Sequence, residues 1–502
     1  MAFGIIILFY VVITFASQNL PFLGDNITLC SKLASYYYFN GFAQLVPPLH
    51  LDTGHPPFWG VYMAACWQFW GRSLIVSHWV VFPFLLGTGY AFWQILKTLL
   101  PSSDWQIPLF FILLIEPAWI TQASLAAIDI PLVCGYVTAL MGILKRKPAW
   151  FAAGIGLMCM ISLRGILLAG VLGVCLCLLL FFRLYQVGER GKKQVLIFLY
   201  LIATYLPIFV VVATWYAYRH IQTGFWILNH QSVWASEGHY GYTTPIEWFY
   251  NMACIGWRFL DQGRIAFWVL LGYAGIRFWQ TDRRQLLLSD IPKSLPNTPN
   301  LFQANAALAE FTFITLFAAF LFASIVAARH NPLVPRYFIS FFLCLIALSV
   351  VWFAQITAYN KFAKRIMVLC AVILLSGHAW IYPFPISNAW DTTWASLSFF
   401  SVKQEVVHYL KTQQIPQALV ATTAPFYGNL DDTYLIQGEN DRMDDYSLCP
   451  INEWQYILYS DFCNDFSPQQ VQMLNNPQHW HQQKVWCRHG IRTVLYAKND
   501  GV

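Results

Sequence analysis

The sequence predicts an all-α polytopic membrane protein of about eleven spans plus a broken hairpin, followed by a small exoplasmic α/β domain. Three observations carry this reading. Of 502 residues, 58% are hydrophobic and only 11% charged, too few charges to clothe a soluble domain. Apolar runs of about 20 residues recur along most of the chain, the length of a membrane helix, and a helix satisfies its own backbone inside a bilayer. Beyond residue 382 the hydropathy falls. There, strand-like runs (QALVATT, YILYSDF, RTVLYAK) alternate with helical ones (VKQEVVHYLKTQ, SPQQVQMLNN), the pattern of a mixed domain.

The elements follow in order. The run FGIIILFYVVITFA has neither a basic leader nor a small-residue cleavage site, so a retained span is expected over 4–20. Residues 21–56 form a first outer loop. Within it Ile27, Leu29, Leu33, Tyr36, Tyr37 and Phe39 recur at helical spacing, as in a helix lying along the membrane surface. Spans are expected at 57–71 and 78–97. The segment 106–127 carries Glu116-Pro117 at its centre; proline breaks a helix and a charge is costly at depth. A broken or re-entrant hairpin is therefore expected there. Further spans are expected at 129–144, 148–163, 165–182, 194–218, 263–278, 309–327, 335–356 and 365–382.

Orientation comes from the basic loops, which favour the cytoplasmic side. Four are evident: 145–147 (KRK), 183–193, 277–284 and 361–365 (KFAKR). Placing them inside leaves the N-terminus cytoplasmic. It puts the loop 219–262 and the domain 383–502 on the exoplasmic side of a transmembrane unit spanning 1–382. Short inner loops and the lack of a retention signal lean towards a bacterial inner membrane. The net charge of +6 matches basic inner loops and gives no reason to invoke nucleic acid. The twelve cysteines show no metal or redox spacing. Cys449, Cys463 and Cys487 would all lie outside, an odd number, so one thiol is left over whichever two pair.

By this topology an unusual set of polar residues gathers at the outer ends of the spans. Asp25 follows the first span. The first loop ends in LDTGHPPFWG, with Asp52 and His55. Asp129 heads a span in LAAIDIPLVCG, Arg164 sits where two spans meet in ISLRGILLAG, and Arg336-Tyr337 opens another in NPLVPRYFIS after Arg329 and His330. Carboxylates beside cations at one depth suit an anionic lipid headgroup and a reacting group next to it. Arg and His bind phosphate by charge-assisted hydrogen bonds, and a carboxylate can take a proton from an acceptor. Each residue also has a plainer reading. Asp25 and His55 could be loop and turn residues, Asp129 a helix cap, and Arg164 and Arg329 snorkelling cations. His230, Glu237 and His239 match no strong metal signature, and the acidic run 431–445 reads as a solvated face. Asn26-Ile27-Thr28 is a formal glycosylation sequon close to the membrane.

These motifs, in this order, resemble those of the GT-C superfamily of glycosyltransferases, in particular the protein O-mannosyltransferase-like and aminoarabinose transferase-like branch. HPPFW at 55–59 resembles the family's HPPL or KPPL, IDIPL at 128–132 its Asp-x-Pro-Leu, SLRG at 162–165 its Thr-Lys-Gly, and PRYF at 335–338 its Arg-Tyr-Leu-Leu-Pro. The resemblance implies transfer of a sugar from a polyprenyl-phosphate carrier to a lipid, glycan or protein acceptor at the outer face, with inversion by direct displacement. It implies Asp25 as catalytic base; Asp52, three residues before His55, is the second choice by its position. His55, Arg164 and Arg336 would hold the carrier phosphate, Tyr337 would support that site, and Asp129 would position the acceptor or a cation. No cofactor is indicated, and Asp25-Asn26 in place of the family's Asp-Glu weakens a paired-carboxylate metal site. His55 in place of a lysine predicts phosphate affinity that falls as pH rises. The competing readings are a flippase of a lipid-linked sugar, a polysaccharide polymerase or ligase, and a non-enzymatic scaffold. A transporter usually needs polar residues deep in the bilayer, whereas here they cluster at one face.

Overall fold

The computed structural model describes residues 2–101, 104–187, 192–227, 241–286, 299–329, 333–356, 361–380 and 391–499, apart from 424, 427–429, 437–442, 446–449 and 463–465. Among them, five helices are long and apolar enough to cross a bilayer outright. Helix α1 is Ala2–Ser17. A π-helical turn, Ile27–Lys32, leads into α2, Leu33–Asn40, where the surface helix is expected. Then come α3 (Phe58–Trp70), α4 (Leu74–Trp79), α5 (Phe82–Leu99), α6 (Gln106–Leu114) and α7 (Pro117–Ala123). They are followed by α8 (Asp129–Leu144), α9 (Pro148–Ile161), α10 (Leu163–Val187) and α11 (Lys192–Thr223). Helix α12, Pro245–Leu260, opens with a Thr244/Glu247 capping box. It is followed by α13 (Arg264–Leu286) and α14 (Pro299–Ala327), a 3-10 turn at Pro335–Phe338, α15 (Ile339–Ile356) and α16 (Lys361–Ser376).

Two expectations are corrected. The first is the span at 57–71. Helix α3 has 13 residues, about 20 Å at 1.5 Å per residue and short of a hydrocarbon core of about 30 Å. Both of its ends also lie at the same end of the bundle. His55, just before it, lines the cavity described below. Arg72, just after it, bonds Asp431 of the C-terminal domain at 2.8 Å. Helix α3 instead packs on α2, and the passage to the other end of the bundle is α4–α5. His78 Nε2 lies 3.0 Å from the Leu20 carbonyl beside the end of α1, whereas Gln94 near the far end of α5 receives Lys145 of the KRK run.

The second correction is the hairpin at 106–127. Helices α6 and α7 meet at a 65° bend where the sequence has Glu116-Pro117, so the break stands, but the chain does not turn back. Trp105, at the start of α6, contacts Phe353 at the far end of α15. Gln122, in α7, donates to the Asp391 carbonyl at 2.5 Å, at the cavity end. The pair is one bent passage. Counted as one span, the pair raises to six the passages among the described residues that are long and apolar enough to cross a bilayer.

Helices α8 and α9 approach backbone to backbone. A Cβ on Gly154 would lie 2.4 Å from the Ala139 nitrogen and the Gly135 oxygen. Small residues permit such contact where packing alone drives helix association. The turn from α9 to α10 is tighter still, since a Cβ on Gly165 would lie 1.9 Å from the Met158 oxygen. That turn fixes Arg164.

The C-terminal domain contains α17 (Ser398–Thr412), β1 (Val420–Thr422), α18 (Leu430–Tyr434), β2 (Asp444–Asp445), β3 (Tyr456–Ser460), α19 (Pro468–Leu474), β4 (Trp480–Arg488) and β5 (Ile491–Lys498). The strands form one sheet in the order β2-β1-β3-β5-β4. Strand β1 runs parallel to β2 and β3, and β5 antiparallel to β3 and β4. The domain is seated on the first outer loop. Ser31 Oγ donates to the Asp432 carbonyl at 2.6 Å, and Phe22 N donates to the Thr433 carbonyl at 3.0 Å. With Arg72 on Asp431, the start of the acidic run is thus a docking contact rather than a solvated face. Burial raises the Asp432 carboxyl above its ordinary range, and Lys32 pulls it back.

Candidate active site

A cavity of about 260 Å³ opens at the domain-bearing end of the bundle. Its polar wall is Asp25, Thr53, His55, Ser162, Arg164, Arg336 and Tyr337; Leu29, Leu167, Phe322 and Val326 line it with apolar groups. Residues as far apart in sequence as Asp25 and Arg336 meet because each stands at a helix end on this face. Asp25 follows α1, Arg164 begins α10, and Arg336 lies in the turn that starts α15.

The charges are arranged in pairs. Arg164 Nη2 lies 2.5 Å from Asp129 Oδ1. Arg336 forks between two carboxylates: Nη2 bonds Asp25, and Nη1 lies 2.8 Å from Asp391 Oδ2. The Tyr337 ring centroid lies 4.3 Å from the Arg164 guanidinium carbon and 5.8 Å from that of Arg336, within cation–π range of both. Not every donor is used. Arg164 Nη1 and Arg336 Nε are buried without an acceptor among the described residues. Buried polar groups in native proteins are nearly always paired; this cluster also leaves Asp129 Oδ2 and Asp391 Oδ1 unpaired among the described residues, so unsatisfied groups of both signs stand beside the cavity.

The expected residues fall into two groups. Asp25, His55, Arg164, Arg336 and Tyr337 line the cavity together. The Asp25 side chain is 24% exposed, open enough to meet a ligand. Asp129 is 1% exposed; it stands behind Arg164 and holds it. It does not cap α8, where no side-chain cap bond forms. Asp52 is placed elsewhere. Both of its oxygens face Arg219, to which Oδ2 is tightly paired, and Oδ1 accepts from Gly54 N at 2.9 Å. Tyr216 Oη adds a bond to the Gly54 carbonyl at 3.2 Å. Asp52 thus braces the loop that carries His55, and it does not line the cavity.

His55 differs from expectation in its charge. Its Nδ1 accepts from Leu163 N at 3.1 Å, which requires a lone pair there. Burial, reinforced by Arg164, pushes its pKa down to about 4, while Asp25 opposes. The ring is therefore neutral near pH 7 and presents Nε2–H as a donor. Arg329 stacks on Tyr242 at 3.9 Å and does not line the cavity. Asn26 is fully buried, so its sequon is inaccessible in the folded protein. Residues His230, Glu237, His239, His330, Cys449 and Cys463 lie outside the described residues. Among the described residues no group of three or more His, Cys, Asp or Glu is placed to hold a metal ion.

Three contributors were not anticipated. Asp391 is 1% exposed, and burial lifts its carboxyl to about 6, with Arg336 pulling it back and Asp25 and Asp129 pushing the same way as burial. Arg219 and Arg264 are both fully buried. Arg264 Nε bonds Glu116 at 3.0 Å and lies 3.9 Å from the Phe342 ring. Glu116 also caps α7 through Trp119 N at 2.7 Å. That pair makes a charge at the break affordable, and a glutamate just before a proline was its only sequence signal.

No protein-family model matches the chain, and no curated protein matches it either. Among solved structures, the crystal structure of ArnT from Cupriavidus metallidurans bound to undecaprenyl phosphate is similar over its length. The TM-score is 0.50 at 14% identity, covering 100% of this chain and 99% of that one. At that identity the likeness is one of fold. The chain shares the fold of that structure, a polytopic helical bundle carrying a small α/β domain.

Proposed function

We propose that the protein is an integral membrane glycosyltransferase that takes a sugar from a polyprenyl-phosphate carrier and delivers it to an acceptor at the exoplasmic face. The observation that carries this is the cavity itself. Two guanidiniums, the buried Arg336 and the half-buried Arg164, each with an unused donor, meet an accessible carboxylate beside apolar walls on α10 and α14 suited to a lipid tail. The fold adds support, since the similar structure of ArnT holds undecaprenyl phosphate.

In this reading the acceptor hydroxyl or amine gives its proton to Asp25 as its oxygen or nitrogen attacks the anomeric carbon. The bond from that carbon to the phosphate oxygen breaks, and the configuration inverts. Polyprenyl phosphate leaves with its charge against Arg164 and Arg336, which can each offer two parallel donors to it, and neutral His55 offers one more. Asp129 and Tyr337 keep the guanidiniums in place. No enzyme nucleophile is needed.

Direct binding tests the donor half of this reading. Purified protein in nanodiscs is titrated with undecaprenyl phosphate, alongside Arg164→Met and Arg336→Met. Saturable binding by the wild type, weakened at least tenfold by either substitution, is expected; two charge-assisted hydrogen bonds at about 1.5–3 kcal/mol each would account for it. Binding by the wild type that neither substitution weakens would place the phosphate elsewhere. Carrier that is bound and moved across liposomes, with no sugar ever transferred, would favour the flippase reading.

A further inference from the structure

Asp391 lies in the chain beyond the last helix of the bundle, yet its carboxylate is inside the cavity's charge network. Its neighbours are as buried as it is: Thr392 is 0% and Thr393 2% exposed. The segment is tied down at two points. Gln122 Nε2 donates to the Asp391 carbonyl at 2.5 Å, and Gln262 Nε2 donates to Thr392 Oγ1 at 2.8 Å. The segment that carries the carboxylate is thus held by glutamine side chains from α7 and from just before α13, independently of Arg336.

This matters because of how Arg336 is shared. One end of its fork is on Asp391 and the other on Asp25. With the fork so engaged, the Asp25 oxygen facing it is occupied by a guanidinium N–H and not open to an acceptor's proton. A phosphate entering the cavity competes for Arg336 with Asp25, because that end of the fork is on the cavity side. Asp25 is 24% exposed in its side chain and Asp391 only 1%.

We propose that Asp391 is a positioning residue for the transfer reaction: it pins one end of the Arg336 guanidinium so that the donor phosphate takes over the other end and releases Asp25. The active site is then completed from the C-terminal side of the chain. Nothing in the step is covalent; one guanidinium N–H exchanges a carboxylate acceptor for a phosphate acceptor. Without Asp391, Arg336 has Asp25 as its single carboxylate partner among the described residues, and the exchange no longer frees the base cleanly. The proposal rests on the glycosyltransferase reading above.

The test separates binding from turnover. Full-length wild type, Asp391→Asn, Asp391→Glu and Thr392→Val are compared in nanodiscs for undecaprenyl phosphate affinity and for sugar transfer from a polyprenyl-phosphate sugar. The expected result for Asp391→Asn is carrier affinity within about threefold of wild type, or tighter since a buried negative charge is gone. Turnover falls on the order of a hundredfold, the scale of a misplaced catalytic group. Asp391→Glu, which keeps the charge, recovers part of the turnover. Thr392→Val, which removes one of the two anchors but keeps the carboxylate, loses less turnover than Asp391→Asn. Equal losses of affinity and turnover in Asp391→Asn, matched by Thr392→Val, would show a merely structural segment and overturn the proposal. So would unchanged turnover in Asp391→Asn. If that variant is not recovered folded, the same two readouts on Asp391→Glu decide, with a loss confined to turnover expected. A wild type that binds no carrier would instead remove the underlying reading.

Discussion

Asp52 faces Arg219 outside the cavity, so it is expected to brace the His55 loop and not to act as a base. Replacing it with asparagine separates the two roles. Arg219 is fully buried, and its guanidinium holds Asp52 through Nη2 and, at 3.4 Å, through Nε; Nη1 reaches the Phe225 carbonyl at 2.8 Å. Asparagine keeps an oxygen for Gly54 N but removes the countercharge. An uncompensated buried cation costs about 3–5 kcal/mol when one partner of such a pair is removed. Asp52→Asn is therefore expected to lower the unfolding temperature in detergent sharply and to weaken donor affinity, because the His55 loop loses its anchor. Replacing both partners, Asp52→Asn with Arg219→Met, is expected to recover much of that loss, since no charge is then stranded; the double-mutant cycle would show strong coupling. Stability and carrier binding are read alongside turnover at saturating donor. A stable Asp52→Asn protein that binds carrier normally but transfers nothing would refute this reasoning and make Asp52 the base.

Other consequences follow from particular groups. Because His55 stays neutral from about pH 5.5 to 8, well above its depressed pKa, donor KM is expected to be flat over that range; a KM rising with pH would restore a charged histidine. Gly165→Ala puts a methyl group against the Met158 carbonyl, so α10 must shift and carry Arg164 with it. Carrier affinity should drop on the order of tenfold, with a stability loss of about 1–3 kcal/mol, and unchanged affinity would mean that the turn has slack. Lys403 in α17 is 1% exposed, and burial pushes its pKa down to about 8. Its folded pKa is below the unfolded one, so the unfolded state binds more protons from about pH 8 to 10 and stability rises with pH across that window. Lys403→Met should stabilise the C-terminal domain by up to about 3 kcal/mol at neutral pH, with the gain fading towards pH 10.

What could be read from the sequence was what local pattern controls. The span at 129–144 coincides with α8 because an Asp-x-Pro start and a KRK stop bracket it. The runs YILYSDF and RTVLYAK became β3 and β5, which pair with one another. Asp25, His55, Arg164, Arg336 and Tyr337 converged because each stands at or beside a helix end on one face, whereas Asp52 and Arg329 found other partners. The errors came where long-range pairing decides. FWGVYMAACWQFW is apolar enough to suggest a span, but His55 in the cavity and Arg72 on Asp431 hold both of its ends on one side. No hydropathy profile contains that pair. Arg219 was hidden near the end of an apolar run, and Asp391 in a polar stretch 55 residues beyond Arg336 has no motif around it. Their roles exist only through partners far away in sequence. The charge state of His55 likewise follows from its burial beside Arg164, with the Leu163 amide on Nδ1, and not from its Pro-Pro neighbours.

The most direct test of the central claim is transfer itself. Purified wild type and Asp25→Asn in nanodiscs would be given radiolabelled polyprenyl-phosphate sugars together with a membrane extract as acceptor source. The account predicts that the wild type labels an acceptor with inversion at the anomeric carbon, and that Asp25→Asn binds the carrier but loses transfer by at least about a hundredfold, the contribution of a positioned base. Undiminished transfer by Asp25→Asn would contradict it.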